Sequence, residues 1–287
     1  MKEYRIRPNT RVDLSEWDAN ETAQFMGSKK EGMAATEKLN KKLEELQEML
    51  YAEHKQRVLI VIQSLDTGGK DGVIRSVFDG VNPQGVKVAS FKAPTPKELD
   101  HDYLWRIHKH TPGKGEIVIF NRSHYEDVLV VRVHNLTTEK TWKKRFQHIR
   151  DFERMLSDEG TTILKFYLHI DQEEQRKRLL ERINDPAKRW KFNPGDLEER
   201  KLWKKYVQAF EDVLSKTSTP WAPWYVIPAN QNWYRNYLIS TILVETLEKM
   251  KMKFPEPVEN LTQYALQLGG NPIPQNNGNR FLDGSDM

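Results

Sequence analysis

The feature that most constrains this chain is a series of five short apolar runs separated by helical patterns. The runs are VLIVI (58–62), VKVASF (86–91), EIVIF (116–120), TILKFYLHI (162–170) and WYVIP (224–228). Short runs rich in β-branched residues, alternating with helices, predict parallel strands that are covered on both faces. The sequence therefore predicts an α/β fold with a five-stranded parallel sheet. In such folds, ligands bind at the carboxyl ends of the strands.

Composition narrows the class of protein. The chain has 287 residues and a hydrophobic content of 38%, which suffices for one large domain. Cysteine is absent, which excludes disulfides and cysteine-ligated metals. The N-terminal MKEYRIRPNT lacks the apolar segment of a secretory signal, and no run approaches the roughly 18 apolar residues of a membrane span. We therefore expect a cytoplasmic protein with no membrane partner.

The pattern along the chain predicts three segments. Residues 1–30 are polar and irregular, which predicts an arm on the surface; residues 31–253 form the main domain. From residue 254 the chain is rich in Pro, Asn, Gly and Gln, and its last residues, NNGNRFLDGSDM, predict disorder. Residues 31–55 predict an amphipathic helix that covers the core and permits contact with a second copy, so we expect a homo-oligomer. Its apolar residues are Met33, Leu39, Leu43, Leu46 and Leu50.

A glycine-rich stretch, SLDTGGKDG (64–72), follows the first apolar run and precedes a helical pattern. A buried strand, such a turn and a helix are typical of a phosphate-binding loop, whose backbone N–H groups surround an anion. Lys70 would add a positive charge next to the phosphates. The other candidate phosphate-binding residues of the loop are Thr67, Gly68, Gly69, Asp71 and Gly72.

This loop differs from the usual pattern in three places. Ser64 stands where the first glycine is expected, Asp71 replaces the usual Ser or Thr, and Asp66 lies inside the loop. A carboxylate beside phosphate is repulsive unless a cation lies between them, which predicts a site for Mg²⁺, with Mn²⁺ as the alternative ion. Two other interpretations stay open: Asp66 orients or deprotonates an acceptor phosphate, and Asp71 caps the following helix.

A second polar cluster, IFNRSHYEDVLVVRVH (119–134), begins at the end of the third run. Asn121 and Arg122 should therefore lie near the loop, and Arg122 suits bidentate contact with phosphate oxygens. Nucleotide-hydrolysing folds often place a metal-binding aspartate at such a strand end, and the nearby carboxylates here are Glu126 and Asp127. We predict a structural role for His124 and Tyr125.

A third cluster lies in a polar segment that interrupts the helical pattern. A new helix is predicted to begin after it, with Asp196 as the N-cap. Basic residues crowd 176–191, opposed only by Glu181 and Asp185. They predict a mobile lid, about residues 182–206, that closes over phosphates and excludes water. The alternative is a solvated helix face. The predicted phosphate contacts of the lid are Arg182, Lys188, Arg189 and Lys191.

Together these stretches resemble the type-two polyphosphate kinase family, and HYEDVLVVRV (124–133) resembles its third class. The resemblance covers residues 55–250 and implies a P-loop kinase-like, three-layer α/β/α fold with a helical lid. It also implies transfer of the terminal phosphoryl group of inorganic polyphosphate to adenine nucleotides, with guanine nucleotides as further acceptors. By similarity, Asp66 and Lys70 are active-site residues, and Asn121, Arg122 and Asp127 form a metal-proximal motif. Glu126 lies where the classes differ.

The resemblance further implies that the loop binds the acceptor nucleotide and that a basic channel binds the donor. Asp66, Lys70, Arg122 and Asp127 are the expected catalytic residues, with Asp66 and Asp127 as metal ligands. One alternative is an ATP-dependent nucleoside or nucleotide kinase, although Ser64 and Asp71 argue against it. The other is a nucleic-acid-binding regulator that uses the basic lid, although it would not need the two carboxylates. We expect no nucleic-acid partner.

Overall fold

The computed structural model describes residues Met1–Ile273. The sequence NNGNRFLDGSDM, with its predicted disorder, lies outside this part. Five parallel strands form one sheet in the order β2-β3-β1-β4-β5, which confirms the predicted sheet. The strands are β1 (Arg57–Ser64), β2 (Val86–Ser90), β3 (Ile117–Asn121), β4 (Thr161–His169) and β5 (Trp224–Pro228).

The described residues contain eleven α-helices. The longer ones are α1 (Lys29–Glu53), α2 (Lys70–Val77), α6 (Glu139–Asp158), α7 (Gln172–Asn184), α9 (Trp203–Thr217) and α10 (Asn232–Lys249). The shorter ones are α3 (Pro96–Leu99), α4 (Trp105–His108), α5 (Val130–Val133), α8 (Gly195–Lys201) and α11 (Leu261–Gln267). Single 3₁₀ turns span Leu14–Glu16, His124–Asp127 and Arg189–Lys191. None of these helices is long and apolar enough to cross a membrane.

The sheet separates two hydrophobic layers, as the period-two alternation of buried strands requires. Leu59 and Val61 of β1 pack with α6 and α9 on one face, whereas Ile60 and Ile62 pack with α1 and α10 on the other. This arrangement confirms the predicted three-layer α/β/α architecture. β1 is the central strand: β2 and β3 lie on one side of it, and the chain then crosses over to form β4 and β5 on the other side. The loop after β1 therefore sits at the switch point where ligands bind in such folds.

The N-terminal arm is irregular but does more than lie on the surface. Its backbone pairs with the edge strand β5: Ile6 N–H donates to the Trp224 carbonyl and Val226 N–H to the Tyr4 carbonyl, both at 2.9 Å. Tyr4 and Ile6 alternate inward, and Leu14 is also buried. The arm thereby covers one open edge of the sheet.

Two predicted burials are wrong. Met33 is 49% exposed, because the inward side of α1 at this end is formed by Gly32, where an added Cβ would lie 2.4 Å from the Trp233 ring. α1 and α10 therefore approach each other too closely there for a large side chain. Val88 is also 49% exposed, because β2 forms the other edge of the sheet and is not covered on both faces.

The chain divides into two compact units, Met1–Lys253 and Phe254–Met287. The first contains the whole sheet and the ten helices up to α10. Within its described part, the second contains α11. All of the residues considered below belong to the first unit.

Candidate active site

The loop after β1 has the backbone of an anion-binding turn. Gly69 adopts φ +95° and occupies the N-cap position of α2, without a side-chain cap. A Cβ at Gly68 would lie 2.4 Å from Ser64 Cβ, so the loop could not pass so close to β1 with a larger residue. The first N–H groups of α2 have no capping side chain, and the positive end of the helix dipole adds to their attraction for an anion.

Lys70 lies at the first position of α2 and reaches back to the strand end. Its Nζ donates to Ser64 Oγ over 2.8 Å. Ser64, which stands at the position of the usual glycine, therefore supplies a polar partner for the lysine. Burial lowers the pKa of Lys70, although the nearby carboxylate of Asp66 acts in the opposite direction.

The two unexpected carboxylates of the loop each contact the end of β3. Asn121 Nδ2 donates to Asp71 Oδ1 over 2.8 Å, and Arg122 Nη2 lies 3.4 Å from Asp66 Oδ1. The register explains this proximity, because Ile62 near the end of β1 pairs with Asn121. Asp71 lies in the first turn of α2, two residues after the N-cap, so it does not cap the helix as one interpretation proposed.

Two cavities meet at the loop. The first, which we call the loop cavity, has a volume of about 870 Å³ and is lined by loop residues 66–72 and parts of α7 and α10. Its acidic residues are Asp66, Asp71, Glu181 and Asp196. Its basic residues are Lys70, Arg75, Lys92, Arg122, Arg178, Arg182, Lys188, Lys191 and Arg235. Nine basic side chains against four acidic ones make this space strongly electropositive.

The second, which we call the aromatic cavity, has a volume of about 340 Å³. Trp203, Tyr206 and Phe210 form its apolar side. Four acids, Asp66, Glu126, Asp196 and Glu199, line the cavity, and Arg122 is its only Lys or Arg lining residue among Met1–Ile273. Asp66, Arg122 and Asp196 line both cavities, so the two spaces join at these side chains. We call this place the junction.

The structure separates the neighbouring carboxylates Glu126 and Asp127. Glu126 lines the aromatic cavity; burial raises its pKa, and Arg122 and Lys70 oppose the shift. Asp127 lines neither cavity; its Oδ1 accepts a hydrogen bond from Arg145 Nη1 over 3.0 Å. The family resemblance implies that Asp127 and Asp66 are metal ligands of one site, but the structure does not bring these two carboxylates together. The 3₁₀ turn at His124–Asp127 explains the difference, because neighbouring side chains point in different directions.

A buried polar network holds this 3₁₀ turn in place. Glu153 of α6 accepts hydrogen bonds from His124 Nε2 over 3.1 Å and from Tyr125 Oη over 2.7 Å. Lys165 of β4 donates to the other Glu153 oxygen over 2.6 Å and to the Thr217 carbonyl over 2.8 Å. His124, Tyr125, Glu153 and Lys165 are all fully buried. His124 and Tyr125 thus have the structural surroundings that we predicted for them.

The predicted lid residues have different surroundings. Arg182 pairs with Asp196 over 3.0 Å, which links α7 to α8. Lys188 pairs with Glu181 and with Asp185, the two acids of the basic stretch, and it lines the loop cavity with Lys191. Arg189 does not line the cavity; its Nε donates to the Ile183 carbonyl over 3.0 Å. The Asp196 cap is wrong: Pro194 occupies the N-cap of α8, and Asn193 accepts from Gly195 N–H over 2.9 Å.

Two arginines that line the loop cavity are not predicted as site residues by the sequence. Arg178 Nη1 donates to the Thr67 carbonyl over 3.0 Å and thereby ties α7 to the loop. Arg235 of α10 lies against the loop glycines: a Cβ at Gly69 would come 2.2 Å from its Nη1. Arg178 was visible only as one member of a basic run. Arg235 had no sequence signal, because its role depends on the packing of α10 against the loop.

Asp66 at the junction and the nearby Glu126 of the aromatic cavity fit a divalent cation that is shared with substrate phosphates. Among Met1–Ile273, no group of three or more His, Asp or Glu side chains could hold a metal alone. Mg²⁺ commonly binds one or two carboxylates together with phosphate oxygens, and Asp66 and Glu126 supply two such groups. Burial raises the pKa of Glu126 and of Asp196, and the nearby Asp66 acts in the same direction on both, so Asp66 lies close to each of these carboxylates.

Comparison with known proteins decides the family. A family model described as Polyphosphate kinase 2 matches residues 26–255, which is most of the chain. The chain belongs to the polyphosphate kinase 2 family. This confirms the resemblance that the three motifs predicted. Phosphoryl transfer in such kinases generally requires a divalent metal ion.

Curated relatives of this polyphosphate kinase 2 family chain match nearly its whole length. An AMP/ADP-polyphosphate phosphotransferase of Meiothermus ruber is 61% identical over 257 residues, covering 90% of this chain and 96% of that protein. An ADP-polyphosphate phosphotransferase of Rhodopseudomonas palustris is 42% identical, covering 93% and 96%. The solved structure of polyphosphate kinase 2 from Arthrobacter aurescens TC1 matches with a TM-score of 0.90 at 39% identity, covering 94% and 96%.

Proposed function

We propose that this chain transfers the terminal phosphoryl group of inorganic polyphosphate to nucleoside mono- and diphosphates, making ADP from AMP and ATP from ADP. The observation that carries the proposal is the junction, where a basic cavity and an aromatic cavity meet at Asp66 and Arg122. The names of the Meiothermus ruber and Rhodopseudomonas palustris relatives support the same reaction. The reverse reaction uses the same contacts.

Polyphosphate is the substrate that suits the loop cavity. A linear polyanion gains from a long electropositive space, because each neutralised phosphate releases counterions. The excess of basic residues in this cavity supplies that attraction. A nucleoside gains little there, because Phe91 is the only aromatic lining residue among the described ones.

The nucleotide suits the aromatic cavity. Trp203 and Tyr206 offer ring faces on which a base can stack, Phe210 adds an apolar wall, and Glu199 offers an acceptor for the N–H groups of the base. Adenine is the proposed base, and guanine nucleotides are proposed as further acceptors. This placement reverses the one that the family resemblance implied, in which the loop binds the acceptor nucleotide. Assembly with a second copy stays a prediction.

At the junction, an acceptor phosphate oxygen forms a bond to the terminal phosphorus of polyphosphate. The bridging P–O bond breaks, and its electrons stay on the chain, which is shorter by one phosphate. Lys70 and Arg122 neutralise the phosphate oxygens as charge moves between the two substrates. Asp66 and Glu126 are the residues that would hold Mg²⁺, which supplies further charge neutralisation when bound. The lid is proposed to exclude water by closing from α7 and α8.

The deciding experiment mixes the protein with ADP, Mg²⁺ and long-chain polyphosphate and measures ATP. We expect ATP to form without any other phosphoryl donor, and ADP to form when AMP replaces ADP. Lys70→Ala should lower kcat/KM at least about 100-fold, a loss of roughly 3 kcal/mol of transition-state stabilisation. An ATP-dependent kinase would need ATP as the donor. A nucleic-acid-binding protein would make no ATP and would bind its ligand without Mg²⁺. Either result contradicts the proposal.

A further inference from the structure

Arg235 is a buried cation without an oppositely charged partner in the described part of the chain. Only 2% of the residue is exposed, yet no ion pair among residues Met1–Ile273 includes it. Its hydrogen-bond acceptors are neutral amide oxygens: Asn232 Oδ1 over 2.7 Å from Nη1, and Asn236 Oδ1 over 2.9 Å from Nη2 and 3.1 Å from Nε. Buried charges are normally paired, because desolvation of an isolated charge is costly.

The surroundings of Arg235 increase this cost. Burial, with a further contribution from the neighbouring guanidinium of Arg178, lowers the pKa of Arg235 to about 9. A second cation therefore lies close to it where an anion would be expected. Arg178 itself has a carboxylate partner, with its Nε 2.7 Å from Glu174 Oε1, so Arg235 is the less compensated of the two.

The guanidinium of Arg235 faces the phosphate-binding loop. A Cβ added at Gly69 would lie 2.2 Å from Arg235 Nη1, and a Cβ added at Gly72 would lie 3.3 Å from Arg235 Nη2. The guanidinium therefore fills the space beside both glycines. A guanidinium has five N–H donors, and the three hydrogen bonds to Asn232 and Asn236 leave two of them for another acceptor. Arg235 and Asn232 both line the loop cavity.

We infer that Arg235 binds a phosphate of the polyphosphate chain that is not transferred. The inference rests on the proposed function and on the position of the residue. Arg235 lines the loop cavity but not the aromatic cavity, and its hydrogen-bond partners Asn232 and Asn236 do not line the aromatic cavity either. Asp66 and Arg122 at the junction line both cavities, and Lys70 Nζ reaches Ser64, which lines the aromatic cavity, over 2.8 Å. Reacting groups from the two substrates can meet only where the cavities join. A phosphate beside Arg235 is therefore an internal phosphate of the donor, and it supplies the missing negative charge.

This position predicts an effect on donor binding and not on the chemical step. Arg235→Gln should raise the KM for long-chain polyphosphate at least about tenfold, with kcat and the KM for ADP within about twofold of the wild type. Arg176→Gln is the matched control, because Arg176 is exposed on α7, pairs with Glu173 and lines neither cavity. It should leave all three constants unchanged. A purely structural role of Arg235 would change both KM values together or neither, and that result would overturn the inference.

A titration of long-chain polyphosphate into the protein by calorimetry, without nucleotide, separates this inference from the proposed function. The wild type should bind at least about tenfold more tightly than Arg235→Gln, whether or not ATP is formed in the activity assay. Equal affinities would overturn the role of Arg235 even if the enzyme is active. Should the glutamine variant fail to fold, Arg235→Lys takes its place. Lysine keeps the positive charge but lacks the planar set of N–H donors of a guanidinium, so polyphosphate binding should weaken about threefold. Unchanged binding would also contradict the inference.

Discussion

The side-chain amide of Asn121 donates a hydrogen bond to the carboxylate of Asp71 over 2.8 Å. The adjacent Arg122 lies 3.4 Å from Asp66, so two successive residues at the end of β3 contact the two unusual carboxylates of the loop. Their partners differ in kind. Asp71 is held by a neutral amide on an exposed helix turn, whereas Asp66 is at the junction beside a cation. We therefore expect different roles for them.

Asp66→Asn should raise the Mg²⁺ concentration for half-maximal rate by about tenfold or more, because a neutral amide is a weaker Mg²⁺ ligand than a carboxylate. Asp71→Asn is the matched change, and it keeps an oxygen that can accept from Asn121. It should shift the same concentration less than about threefold. The measurement is the initial rate against free Mg²⁺ at saturating substrates. Equal increases of this Mg²⁺ concentration in the two variants would show that Asp71 also contributes to the metal site.

Glu126 and Asp127 allow a second matched comparison. Glu126→Gln should raise the Mg²⁺ requirement, because this carboxylate lines the aromatic cavity near Arg122 and Lys70. Asp127→Asn should keep the requirement within about twofold and instead lower the melting temperature, because it weakens the contact with Arg145. The opposite pattern in a magnesium titration would restore Asp127 as the metal ligand that the sequence predicts.

The lid residues predict the dependence of donor binding on salt. Lys188 and Lys191 line the loop cavity and Arg189 does not. In Lys188→Ala with Lys191→Ala, the slope of log KM for polyphosphate against log salt should be shallower by about one to two, because fewer counterions are released. Arg189→Ala should keep the wild-type slope. Parallel lines for all three proteins would support the alternative of a solvated helix face.

Tyr206 tests the position of the nucleotide. Tyr206→Ala should raise the KM for ADP about fivefold or more, because a base loses a stacking surface, while the KM for polyphosphate stays unchanged. Tyr206→Phe keeps the ring and removes the hydroxyl that donates to Glu199 over 2.7 Å. Its effect on ADP should be smaller. If Tyr206→Ala raised the KM for polyphosphate instead, polyphosphate would be assigned to the aromatic cavity and the nucleotide to the loop cavity.

The buried network around Glu153 predicts how stability depends on pH. Burial alone would raise the pKa of Glu153, but Lys165 and His124 outweigh it and leave the pKa below 4.5. The unfolded chain therefore takes up a proton at higher pH than the folded one. The stabilisation from Glu153 is present above about pH 4.5 and is lost as the pH falls through the folded value.

Glu153→Gln should lower the free energy of unfolding at pH 7 by about 3–5 kcal/mol, because Lys165 stays buried without its partner. Between pH 5 and pH 3, the variant should lose less stability than the wild type. Urea unfolding at several pH values measures both effects. Identical pH profiles would show that Glu153 does not contribute to acid sensitivity.

Local patterns were sufficient for the sheet and for the loop. The apolar run of β1 and the glycines at 68 and 69 are properties of a few neighbouring residues, and the structure places them in a buried strand and in the loop after it, as predicted. Met33 was misplaced because its exposure depends on Trp233, two hundred residues later. Asp127 and Glu126 could not be told apart, since a 3₁₀ turn changes side-chain direction without a clear signal in the sequence.

Charges were the least predictable part of the site. The basic stretch of the lid is evident in the sequence, but whether a residue faces the cavity is decided by partners such as Glu181 for Lys188 and the Ile183 carbonyl for Arg189. Arg235 lies 165 residues after Lys70, and only the packing of α10 against the loop brings it to the glycines. Such contacts depend on the whole fold and leave no mark on short segments.

The two cavities share only Asp66, Arg122 and Asp196 among the described residues. With polyphosphate in the loop cavity and the nucleotide in the aromatic cavity, as proposed, neither substrate must leave before the other binds. The polyphosphate chain can then remain bound while the phosphorylated nucleotide leaves and a new acceptor nucleotide binds. Initial rates measured with both substrates varied should give intersecting double-reciprocal lines, and one bound chain should lose several phosphates before it dissociates.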